Sequence, residues 1–117
     1  MMSKEKLGKT IRNLRKAKGI SLRKLAEEVD VSFVNIAHIE NGRIKTSKEV
    51  LRQIADALNY DVDKLLALGE TVSEDIEKII SKRPTAVPQF LRTAKNLTSE
   101  EWRLLTEHVK KLKDKKK

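Results

Sequence analysis

The sequence predicts an all-α protein, a small bundle of five short helices followed by a helical extension. Three observations carry that reading. Apolar residues recur at intervals of three and four along the chain, and no segment sustains the alternation of a strand. Ser, Thr or Asp stands just before most of these stretches, where helix caps belong. Neither proline, Pro84 or Pro88, lies within the first 80 residues.

The elements follow in order. Leu7, Ile11 and Leu14 recur at helical spacing, and Gly19 is a plausible stop. Ser21 can cap a second helix whose inward positions are Leu25, Ala26 and Val29. Ser32 can cap a third, with Ile36 and Ile39 facing inward and Gly42 ending it. Ser47 starts a fourth, "KEVLRQIADAL", with Val50, Leu51, Ile54 and Leu58 on one stripe. A fifth, "VDKLLAL", follows a cap at Asp61. After Gly69, "TVSEDIEKIISK" reads as a helix capped by Ser73, and "RPTAVPQFLRTAKN" as another opening near Pro84. "LTSEEWRLLTEHVKKLKDKK" begins with a capping box, Thr98 to Glu101. The chain thus divides into a bundle over residues 1–69 and an extension over 70–117.

Composition removes several classes of function. Cysteine is absent, which excludes disulfides and thiolate metal sites. His38 and His108 are the only histidines, too few for an ordinary zinc site, and no metal or other cofactor is expected. The polar N-terminus shows no signal peptide. The longest apolar run, Leu65–Leu68, is far short of the roughly 18 residues that span a bilayer. The expectation is a soluble cytoplasmic protein without a membrane partner. An enzyme is not expected either. No nucleophile–base arrangement stands out, and the pairs Glu27–Glu28 and Glu100–Glu101 point to different helix faces.

The net charge of +9 is concentrated at the two ends. Through residue 25, Lys4, Lys6, Lys9, Arg12, Arg15, Lys16, Lys18, Arg23 and Lys24 stand against Glu5 alone. The last eight residues hold six lysines and Asp114, and the stretch between is net acidic. The tail is either a solubilising segment or a second basic contact. The first block leads directly into two short helices, and a basic cluster beside a helix pair is the footprint of phosphate binding.

Those two helices meet at "DVS", residues 30–32. Neither is long enough to persist alone, since isolated helices under about 12–15 residues are marginal in water. Asp30 falls just past a helix end, where a left-handed residue is usual and Asp is among the few besides glycine that tolerate it. Val31 can wedge between the helices, and small Ala26 lets them approach. This is a helix-turn-helix pattern, whose second helix is short because it protrudes to fit a DNA major groove.

From about Leu7 to Leu66 the chain resembles the Cro/repressor-type (Xre) helix-turn-helix domain of phage and bacterial regulators. The resemblance is carried by "IRNLRKAKGISLRKLAEEVDVS", "IAHIENG" and "LRQIADALNYDVDKLL". It implies a five-helix Cro/repressor-like domain that binds double-stranded DNA, usually as a dimer on a near-palindromic operator. It also implies a structural ion pair between Arg15 and Glu40. Phe33, Val34, Ala37 and His38 match the family's base-facing positions, where Gln, Ser, Arg or Lys is more usual. Phe33 and Val34 offer thymine methyl groups apolar contact but no hydrogen bond. Phe33 is otherwise a packing residue against Val29 or a protein partner. His38 is either a donor to guanine or phosphate or a plain exposed histidine. Readout by DNA shape then gains weight.

Phosphate contacts are expected from the helix N-termini at Ser21 and Ser32, from Arg23, and from Asn41, Arg43 and Lys45 in the loop after the third helix. Lys9, Arg12 and Lys16 form a stripe that is either phosphate-facing or solvated. In the extension, Trp102, Leu105, Val109 and Leu112 share one face that could dock onto the first domain, pair with a second chain or bind an unrelated partner, and a homodimer interface is the favoured use. The expected function is a sequence-specific transcriptional regulator, a dimeric repressor. The alternative is a protein-interaction module or antitoxin on the same fold, with a regulatory protein as partner.

Overall fold

The computed structural model describes residues 3–116; Met1, Met2 and Lys117, the last of the basic tail, lie outside the described residues. Among the described residues the regular structure is entirely helical. In the first compact unit, which runs to Glu77, α1 is Ser3–Lys18, α2 Leu22–Val29, α3 Phe33–Glu40, α4 Lys48–Ala57 and α5 Val62–Leu68. Next, α6 (Glu74–Lys82) begins in the first unit and ends in the second, which starts at Lys78 and also holds α7 (Ala86–Ala94) and α8 (Ser99–Asp114). No described helix is long and apolar enough to cross a membrane.

The first unit closes around one core to which all five helices contribute. Ile11, Leu25, Val29, Ile36, Leu51, Ile54 and Leu65 are each less than 2% exposed. Burying each such side chain is worth about 1.5–3 kcal/mol, which supplies what helices of seven to ten residues lack on their own. Packing joins α1 to α3 and α5, α2 to α3 and α4, and α4 to α5.

Ser21, Ser32, Ser47 and Asp61 cap α2, α3, α4 and α5, each side chain accepting the amide three residues on. The stops share a device as well. A left-handed residue follows each of α1 to α5, at Gly19, Asp30, Gly42, Asn59 and Glu70. The next amide then returns to a carbonyl of the last turn, as from Ile20 to Arg15 at 3.3 Å and from Arg43 to His38 at 2.9 Å. Asn59 and Glu70 were not marked by the sequence pattern. At the last of these stops Gly69 would be the natural left-handed residue, yet its φ is −85° and Glu70 takes φ 58°. A Cβ at Gly69 would lie 2.8 Å from Leu51 Cδ1, so a side chain there would require Leu51 to shift.

In the second unit, helix α7 opens at Ala86, two residues past Pro84, after a Thr85 that makes no side-chain cap bond. Pro88 lies in its first turn, where a missing N–H costs no helix bond. Helix α8 carries the full capping box, Thr98 Oγ1 accepting from Glu101 N at 3.1 Å and Glu101 Oε1 from Thr98 N at 2.8 Å. Ahead of α6, the Ser73 hydroxyl donates to the Asp75 carboxylate, and the Ser73 carbonyl accepts the Glu77 amide.

Candidate nucleic-acid interface

The turn is what sets α3 on the surface. Asp30 adopts φ 55°, ψ 41°, and its amide and that of Val31 return to the Ala26 carbonyl. Val31 is half-buried against the core rather than fully enclosed. From there Ser32 reopens the chain as a helix, its Oγ accepting from Asn35 N at 3.1 Å. With Ile36 and Ile39 at 0% and 3% exposure, the opposite face of α3 is turned to solvent. That face holds Phe33 and Val34, both exposed, with Ala37 and His38 half-buried beside them.

Two buried features fix α3 from behind. Arg15 on α1 binds Glu40 on α3 bidentately, Nε to Oε2 at 2.6 Å and Nη2 to Oε1 at 3.0 Å. Arg15 Nη1 also donates to the Ile20 carbonyl at 3.0 Å, so the same guanidinium ties the end of α1 to α3. The hydrogen bond to Glu40, joined by Coulombic attraction and opposed by burial, raises the Arg15 pKa above its ordinary value. The second feature is Gly8. A Cβ at that position would lie 2.4 Å from the Glu40 carbonyl oxygen and 2.5 Å from that of Ile39. Only a glycine lets α1 approach the end of α3 so closely. In the sequence the one available signal for Gly8 is a glycine inside an otherwise strong helical pattern.

The basic and polar residues expected on phosphates are all exposed. Ser21 accepts from Lys24 N, and the remaining first-turn amides of α2 and α3 are of the kind that suits an anion. Beyond α3, Asn41, Arg43 and Lys45 are exposed along the loop that Gly42 turns with φ 72°. Lys9, Arg12 and Lys16 are exposed along α1. Arg23 is exposed on α2, with its guanidinium carbon 4.4 Å from the centroid of the Phe33 ring.

The residues of the expected dimer face lie within the second unit. Trp102 and Leu105 are half-buried, while Val109 and Leu112 are 45% and 47% exposed. Trp102 meets Phe90 of α7 edge-on, with ring centroids 6.4 Å apart.

Comparison with known proteins agrees with this geometry. Residues 11–65 match the helix-turn-helix family. Over 65 residues the chain is 34% identical to the ImmF control region 10 kDa protein of Bacillus phage phi105, covering 56% of this chain and 72% of that protein. The crystal structure of the clp gene regulator ClgR from C. glutamicum superposes with a TM-score of 0.54 at 34% identity, over 60% of this chain and 90% of that one. A chain of the SinR protein/SinI protein complex gives a TM-score of 0.50 at 25% identity, over 92% of this chain and 98% of that one. With α3 turned outward by its turn and anchored through Arg15, and with these likenesses, the chain belongs to the Xre-type helix-turn-helix family of DNA-binding transcriptional regulators.

Proposed function

We propose that the protein is a cytoplasmic, non-catalytic repressor that binds its operator as a homodimer, with α3 in the major groove. The observation that carries this reading is the solvent-facing side of α3, opened by a capped N-terminus and set by the turn next to α2, in a unit whose α1 exposes basic residues. In this pose Phe33, Val34, Ala37 and His38 meet base edges. Ser21, Ser32, Asn41, Arg43 and Lys45 meet the sugar-phosphate backbone. With two apolar residues leading α3, specificity leans on thymine methyl groups and on the shape of the duplex. Trp102, Leu105, Val109 and Leu112 supply the subunit contact.

The test is a salt titration on the DNA upstream of the protein's own gene. A dimer that neutralises roughly 6–10 phosphates loses about 10³–10⁵-fold in affinity between 50 and 200 mM salt. A flat log–log plot removes the reading.

A second reading is a partner-binding module whose occupant is a regulatory protein. It is supported by the apolar Phe33 and Val34, exposed at 40% and 48%, and by a structural neighbour that is itself a complex of two proteins. Capture of a protein through α3 in a chain that ignores DNA would favour it.

A further inference from the structure

We propose that Arg23 and Phe33 act as one recognition unit, in which the guanidinium reads a guanine while the phenyl edge abuts the methyl group of the adjoining thymine. The inference rests on α3 entering the major groove and deepens that reading by naming a base step.

Arg23 is the second residue of α2 and Phe33 the first of α3, and the turn at Asp30 brings them together. The guanidinium carbon stands 4.4 Å from the Phe33 ring centroid, within the range of a cation–π contact. Both side chains border the open groove between the end of α2 and the start of α3, with Ala26, Glu27, Asp30, Val31 and Ser32. Although Glu27 and Asp30 line the same groove, among the described residues no carboxylate forms an ion pair with Arg23. The ring therefore holds the cation in place while its five N–H donors stay free for a ligand.

Two consequences follow for the interface. A flexible arginine is ordered before binding, so less side-chain freedom is lost on contact. The guanidinium is also fixed to the N-terminal residue of α3, and the N-terminal residues of a recognition helix are those that meet base edges. The pair therefore travels to the bases together, rather than to the flanking phosphates. At that depth a planar fork of donors fits the N7 and O6 acceptors of guanine. One face of the Phe33 ring is covered by the cation, which leaves its edge for the methyl group of a neighbouring thymine.

The experiment is selection from a randomised duplex library by the full chain, repeated with Arg23→Lys and Phe33→Leu and followed by salt titrations on the enriched duplexes. The wild-type chain is expected to enrich a thymine beside a guanine. Arg23→Lys should relax the preference for that guanine by roughly 5- to 150-fold. Phe33→Leu, which keeps an apolar contact but frees the arginine, should relax it as well. Replacing the thymine with deoxyuridine, which removes only the methyl group, should weaken wild-type binding. The pairing is overturned if both variants select the wild-type sequence and weaken on all duplexes alike, with the Arg23→Lys salt slope unchanged because lysine keeps the charge, the mark of a phosphate contact. If the wild-type chain enriches nothing and binds without salt dependence, the DNA reading falls first and the pair falls with it.

Discussion

The first unit and α7–α8 are built from equally well-signalled helices, and they differ in what those helices bury. Eight residues of the first unit are under 2% exposed, and an arginine–carboxylate pair lies at 11% and 4% side-chain exposure. In the second unit Ala94 is the buried residue among those described, while Phe90, Leu91, Leu104, Val109 and Leu112 all exceed 44% exposure. Helix α8 is nevertheless the better capped, with its capping box and ion pairs at Glu100–Arg103 and Glu107–Lys110. The hydrogen bond from Arg103 holds the Glu100 carboxyl below its ordinary pKa, another local interaction on an exposed face. Local signals make a helix, whereas a fold needs a partner for its apolar stripe. The first unit finds that partner within itself.

The largest expected effect tests the buried pair. Glu40→Ala strands the Arg15 guanidinium and should cost roughly 3–5 kcal/mol of unfolding free energy, read by chemical denaturation. An unchanged midpoint would mean that the pair does not hold α1 to α3. Next comes Gly8→Ala, which sets a methyl group against two backbone carbonyls and should cost about 1–3 kcal/mol as α1 and α3 are pushed apart. A helix-propensity view predicts a gain instead, because alanine is the better helix former.

The same measurements on the second unit should give little. Val109→Ala with Leu112→Ala changes surface positions of α8 and should leave the first unit's unfolding within about 0.5 kcal/mol per substitution. Sedimentation of that double variant should nonetheless show a weaker dimer, if these residues form the subunit contact. A loss of several kcal/mol with no change in association would mean that the second unit has a core of its own.

The smallest effect lies at the turn. Asp30 sits at φ 55°, a conformation that costs a non-glycine residue on the order of 1 kcal/mol. Glycine removes that cost but gains freedom when unfolded, so Asp30→Gly should leave stability level or slightly higher. Asp30→Val should be clearly less stable, because a β-branched side chain resists positive φ. The reverse ordering in denaturation would fit a continuous helix rather than a turn.

By itself the sequence determined what is local. The apolar spacing gave the helices, Ser21, Ser32, Ser47, Asp61 and the Thr98–Glu101 box gave their starts, and Gly19, Asp30 and Gly42 gave three of their stops. These signals act between residues a few positions apart, so they stand in the order of the letters. Tertiary structure alone decided the rest. The role of Gly8 depends on two carbonyls more than thirty residues away, and that of Gly69 on Leu51. The left-handed turn there falls on Glu70 rather than on Gly69, although the letter of Glu70 favours no such thing. The Arg15–Glu40 pair was legible through family resemblance, but its bidentate geometry needed α1 and α3 in contact. The stacking of the exposed Arg23 on Phe33 needed the turn that brings α2 and α3 together. In each case the deciding contact joins residues that are distant in sequence or separated by a turn, and only the packed chain brings them within reach.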